Sequence, residues 1–139
     1  MATRSTISIR DEDGSVTSVY CHWDGYLEHN GRILNDHYTN EEIVRELISL
    51  GQICSLGIGI HPDPNEEHNF DVKQKNVCVF YGRDRGETGV ASESFHSWNQ
   101  MLIEQGQSYN YLFVPNEGWF YNNGKNGLRK LSEAFEDNH

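Results

Sequence analysis

Residues 5–10, Ser-Thr-Ile-Ser-Ile-Arg, alternate polar and apolar, and Asp13-Gly14 stands between them and a second run from Ser15 to about Trp23. Alternation at period two marks a half-buried strand, and an Asp-Gly pair supplies the positive φ of a tight reversal. The two runs therefore predict a β-hairpin. That commits the chain to antiparallel pairing and argues against a doubly wound sheet. On the second strand Thr17, Val19, Cys21 and Trp23 share one face, while Val16, Ser18, Tyr20 and His22 share the other.

The remaining elements follow from punctuation and periodicity. Residues 29–38 predict a short helix. Thr39-Asn40-Glu41-Glu42 reads as a capping box in which Thr39 caps the amide of Glu42, with Tyr38 and Ile43 placed as a hydrophobic staple. Ile43, Val44, Leu47 and Ile48 form one apolar stripe, and Gly51 closes that helix. Residues 57–75, with Pro62 and Pro64, read as a long polar loop. Asn76–Tyr81 is apolar after its first residue and suits a central strand, and 82–87 leaves it as a charged, glycine-bounded loop. Ala91, Phe95, Trp98 and Leu102 mark a helix that Gly106 ends. Tyr109, Tyr111 and Phe113 alternate as a strand, Pro115–Gly118 turns into Trp119–Tyr121, and a final helix carries Leu128, Leu131 and Phe135. The expected fold is a single α+β domain over 1–139, with about five mostly antiparallel strands and three or four helices packed on the sheet.

A chain of 139 residues is long enough for one independent core. Its net charge of −10 is uneven: residues 1–70 hold 4 basic and 12 acidic side chains, 71–139 hold 7 and 9. A binder of bulk nucleic acid needs the opposite sign, so that class is excluded, although a local basic pocket can still take a small nucleotide. Cys21, Cys54 and Cys78 form no Cys-x-x-Cys pair, so neither a disulfide framework nor a zinc site is expected. The opening segment carries no signal-peptide core, and no apolar stretch approaches the roughly 20 residues of a membrane span. The chain reads as a soluble cytoplasmic protein with reduced thiols.

Three segments carry candidate chemistry. In Tyr20-Cys21-His22-Trp23-Asp24-Gly25-Tyr26, His22 can hydrogen-bond or act as acid–base, Asp24 can orient it or accept a ribose hydroxyl, and Trp23 or Tyr26 can stack on a base. The plainer reading makes Trp23 core and Asp24-Gly25 a turn. After Tyr81, Arg83 and Arg85 flank Asp84 and can present guanidinium forks to phosphate, or pair with internal acids. Arg4, Ser5 and Thr6 add a cation and two hydroxyls, or a frayed terminus. His61, Asp63, Glu66, Glu67, His68 and Asp71 match no metal-ligand spacing and read as a solvated loop; no metal and no cofactor is expected. For catalysis only His22 and Asp24, predicted to share a strand face, offer a pair, so the reading leans away from an enzyme.

Taken in order, Thr3-Arg4-Ser5-Thr6-Ile7, Asp13-Gly14, Tyr20–Tyr26, Gly31-x-x-Leu34, Tyr38 and Tyr81-Gly82-Arg83-Asp84-Arg85-Gly86-Glu87 resemble a family of small proteins of tailed bacteriophages and prophages. The likeness covers residues 3–90 well and 109–121 loosely. It implies a phage accessory protein of the host bacterial cytoplasm, and through that class a counter-defence role. The expected function is to bind and sequester a small nucleotide-type immune signal, cyclic or ADP-ribose-derived. The ligand site would draw on Arg4, Ser5, His22, Trp23, Asp24, Tyr26, Tyr81, Arg83, Asp84 and Arg85, in a homo-oligomer. One alternative is an acidic inhibitor that mimics DNA toward a host defence or nucleic-acid enzyme, using Asp11, Glu12, Asp13, Glu28, Asp36, Glu41, Glu42 and Glu46. A further alternative is a small nucleotide hydrolase using His22 and Asp24.

Overall fold

The computed structural model describes residues 2–123 and 127–135. The predicted hairpin forms β1 (Ser5–Arg10) and β2 (Val16–Cys21), antiparallel from Ser5↔Cys21 to Arg10↔Val16. Its turn closes through Asp11 N–H to Ser15 O at 2.8 Å, with Gly14 at φ 87°. Then come a π-helical turn (Leu27–Gly31), α1 (Arg32–His37), α2 (Glu41–Ser49), β3 (Ile53–Ser55), β4 (Val79–Phe80) and α3 (Tyr81–Arg85). The chain continues through β5 (Glu93–Phe95), α4 (Trp98–Gln105), β6 (Tyr109–Val114), β7 (Gly118–Asn122), β8 (Arg129–Lys130) and a 3-10 turn, Ser132–Phe135.

Among the described residues the sheet has eight strands, in the order β4-β3-β2-β1-β6-β7-β8, with β5 also on β2. The α+β class stands, but the strands exceed the expected five. Two pairs are parallel, β1 with β6 and β2 with β3, and the rest antiparallel.

β1 is central, so both of its faces are covered. Ile7 and Ile9 join Val19, Cys21, Tyr111, Phe113, Trp119 and Tyr121 in the larger core, beneath Leu34 of α1 and Val44, Leu47 and Ile48 of α2. On the other face α4 brings Trp98 and Met101 against Val16, Leu112 and Val114. The polar side of β1 is buried as well, because its hydroxyls find partners: Thr6 Oγ1 donates to Asn110 Oδ1 at 2.8 Å, and Ser8 bonds Ser18 at 2.8 Å.

Five local expectations need correction. The cap of α2 is Asn40, whose side chain accepts the Ile43 N–H at 3.0 Å, not Thr39; Asn is at least as good a cap, and the frame puts Val44, Leu47 and Ile48 inward. Residues 76–81 are not a central strand. Only Val79–Phe80 joins the sheet, at an edge; Val77 makes an isolated parallel bridge with Gly59, and Cys78 and Phe80 are buried in the larger core. Residues 81–85 are a helical turn, not a loop, ended by Gly86 at φ 76°. Phe95 reaches the second core from β5, and the helix starts only at Trp98, capped by Ser97. No final helix stripe forms: Leu128 packs on the second core and Leu131 on the first, so the two serve opposite sides of the sheet.

Candidate functional site

Strand β2 ends at Cys21, and the next residues climb along β3: His22 N–H donates to Ile53 O at 3.0 Å and Trp23 N–H to Cys54 O at 3.1 Å. Tyr81 N–H then donates to Gln52 O at 3.2 Å, which ties the start of α3 to the same place. These three backbone ties bring the Tyr20–Tyr26 and Tyr81–Glu87 strings, sixty residues apart, to one end of the sheet.

On the Val16–Tyr20 face of β2, beyond the part that α4 covers, the side chains form a row. The exposed Arg4 guanidinium acts electrostatically on the Tyr20 hydroxyl, and that hydroxyl lies 2.7 Å from His22 Nδ1. Trp23, 42% exposed, meets the His22 ring edge-on at 4.8 Å. From Tyr20 the row passes to Tyr81, which interacts electrostatically with Tyr20 and with the buried Cys54. Phe70 lies 5.5 Å from the Tyr81 ring, and the exposed Arg85 guanidinium stands 5.2 Å over Phe70. Burial pushes the titration of both Tyr20 and Tyr81 upward, so both stay protonated donors at neutral pH. The row thus offers cations at both ends, Arg85 with its Nε 3.5 Å from Glu87 Oε2, and aromatic rings between them.

The other sequence candidates lie elsewhere. Ser5 is fully buried on the opposite face, where its oxygen accepts from Asn30 Nδ2 at 3.4 Å. Arg83 points inward: Nη1 donates to Ile60 O at 2.6 Å, Nη2 to Cys78 O at 2.9 Å, and Nε to Asp84 Oδ1 at 3.0 Å. The Asp84 side chain, 4% exposed, also accepts the Phe80 N–H at 2.8 Å. Both residues hold α3 in place rather than face solvent. Asp24 and Tyr26 turn to the far side of the strand end, beside a cleft of about 260 Å³ that Asp24 and His29 help to line. His22 and Asp24, expected on one face, do not meet, because β2 ends before them and Asp24 takes a left-handed φ of 57°. Trp23 is not core.

The 57–75 loop departs from the solvated chain expected of it. His68 is 2% exposed at its side chain, with Nδ1 accepting the Gln74 N–H at 3.0 Å and Nε2 donating to Cys78 O at 3.1 Å. Asp84 Oδ2 lies 3.6 Å from Nε2. This buried junction carries Phe70 to the row, a residue that sequence reasoning missed. Its one available signal was an aromatic ring inside an otherwise polar loop. Tyr20 was missed as a site residue although its place on the His22 face was legible.

Among the described residues no group of three His, Cys, Asp or Glu side chains is arranged to hold a metal ion, and no helix is long and apolar enough to cross a membrane. Compared with family models, curated proteins and solved structures, the chain matches none.

Proposed function

We propose that the protein binds a small anionic ligand with a planar ring system, a nucleotide-type molecule, on the row from Arg4 to Arg85. The observation that carries this reading is the arrangement of two exposed-end cations around an aromatic surface of Tyr20, His22, Trp23, Tyr81 and Phe70. Arginine forks suit phosphate, and aromatic rings suit a base. In a chain of net charge −10, such a localised positive row favours a compact anion over a polymer.

The row supports holding a ligand rather than turning it over. His22 has a phenol, not a carboxylate, on Nδ1, so the His–Asp pair that hydrolysis would need is absent from the described geometry. Retention without turnover is the behaviour of a sequestering protein, and it suits the counter-defence role that the phage resemblance implies. The DNA-mimic alternative draws less support. Arg45 joins Asp11 at 2.9 Å and Glu41 at 2.7 Å, which consumes part of the acidic surface internally.

The test is a thermal-shift screen against cyclic dinucleotides, ADP-ribose derivatives and NAD, with mass spectrometry of the recovered ligand. A ligand at 100 times its dissociation constant stabilises the fold by about 2.7 kcal/mol. The expected result is a shift with intact ligand that is lost in Arg85→Ala and Trp23→Ala. A cleaved ligand, or a shift indifferent to both changes, overturns the reading.

A further inference from the structure

The cleft on the far side of the strand end has the opposite chemistry. It lies between the turn that carries Asp24 and His29 and the segments 55–58 and 73–79, and its volume is about 260 Å³. Ile33, Leu56, Ile58 and Val79 supply apolar walls, and Asp24, His29 and Ser55 supply polar groups. Among the described residues neither the Asp24 carboxylate nor the Ser55 hydroxyl has a hydrogen-bond or ionic partner. Lys73 also lines the cleft, with its ammonium 5.6 Å over the Phe70 ring, which is outside the lining; Asp24 is the one carboxylate of the lining.

Asn30 fixes the tautomer of the histidine here. Asn30 uses its amide N–H groups on Trp23 O at 3.2 Å and Ser5 Oγ at 3.4 Å, so its Oδ1, 2.9 Å from His29 Nδ1, is an acceptor. His29 therefore donates from Nδ1, and in the neutral ring Nε2 carries a free lone pair. The cleft accordingly offers three acceptors: a carboxylate, an imidazole nitrogen and a hydroxyl oxygen. An ammonium is the group with three N–H donors and no acceptor.

Two further observations agree. Ile58, 43% exposed, gives the lining an apolar side chain open to solvent. In addition Asp24 and Asn76, two non-glycine residues held at left-handed φ of 57° and 64°, both line it. Strain of this kind gathers where a side chain must be aimed.

We infer that this cleft is a second binding site, separate from the proposed anion row, for a small primary ammonium on an apolar body, such as an arylalkylamine. Its volume lies below the roughly 300–1,000 Å³ of drug-sized sites, which limits the body to about one ring and a short arm. A carboxylate or phosphate would face the like charge of Asp24.

Phenethylamine, titrated against the labelled protein and followed by backbone amide NMR, tests this, with hydrocinnamate as the anion of similar shape. Saturable shifts at Asp24, Ser55 and Ile58 are expected with the amine and none with the anion. Asp24→Asn keeps a residue that tolerates left-handed φ and removes the charge; it should weaken the amine by about tenfold or more. Arg85→Ala should leave amine binding unchanged whatever becomes of nucleotide binding. Absence of saturable shifts, equal binding of hydrocinnamate, or an unaffected Asp24→Asn protein overturns the inference.

Discussion

At the scale of single residues, neighbours in sequence have opposite duties. Arg83 and Arg85 look alike in the chain, yet three nitrogens of Arg83 are spent on Ile60 O, Cys78 O and Asp84, whereas Arg85 is exposed over an aromatic ring. Arg83→Ala would leave two carbonyls and the buried Asp84 carboxylate short of donors, and should cost about 2–4 kcal/mol in urea unfolding. Arg85→Ala should change stability by less than about 0.5 kcal/mol. Equal effects would contradict this division of labour. Gly25 is equally specific. A Cβ there would stand 2.7 Å from Ser5 Cβ and 2.9 Å from Thr3 O, while its own N–H donates to Thr3 O and its carbonyl accepts from Tyr111. Gly25→Ala should destabilise by about 1–3 kcal/mol, read from the same unfolding curves. The residue types of the site were legible in the sequence; their directions were not. Whether an arginine faces inward depends on carbonyls such as Ile60 O, which only the folded loop delivers.

At the scale of elements, strands whose partners are local were readable and those whose partners are distant were not. The β1–β2 hairpin and the β6–β7 hairpin follow from alternation and turn chemistry alone. β5 and β8 are two or three residues long and owe their state to β2 and β7, so no periodicity announces them. The α2 cap was misplaced by one residue because Thr39 and Asn40 are both good caps; the fully buried Tyr38, with its hydroxyl 2.7 Å from Gly57 O, decides the frame. Asn40→Ala should cost about 1 kcal/mol and Thr39→Ala a few tenths, by chemical denaturation. The 57–75 loop depends on the His68 junction. His68→Ala should leave the global melt nearly intact but open the loop to limited proteolysis between residues 61 and 75, and it should weaken nucleotide-type binding by freeing Phe70. A loop that stays protected would show that His68 does not hold it.

At the scale of the whole molecule, the buried thiols and phenols set the response to alkali. Burial pushes Cys21 from 9.0 up to about 12, and it also raises Cys78, Tyr38 and Tyr111. Each of these groups ionises more readily in the unfolded chain. Stability is therefore full below the unfolded values of 9.0 for cysteine and 10.0 for tyrosine, and it falls as pH rises past them. Each such group contributes a slope of about 1.4 kcal/mol per pH unit until its folded value is reached. Denaturant midpoints should hold steady to about pH 8.5 and drop steeply above pH 9–10. A flat profile through pH 11 would mean that these groups are not sealed from solvent.

The parallel pairing of β1 with β6 joins residues 5–9 to residues 109–113 across the middle of the sheet. During synthesis the hairpin leaves the ribosome before β6 and then waits, with one long side unpaired, until about ninety further residues have followed. Thr6 and Ser8 make this wait safer: hydroxyls on a waiting strand resist the edge-to-edge sticking that a wholly aliphatic strand would invite. The buried polar face of β1, costly to pack in the finished protein, thus guards the nascent chain against aggregation.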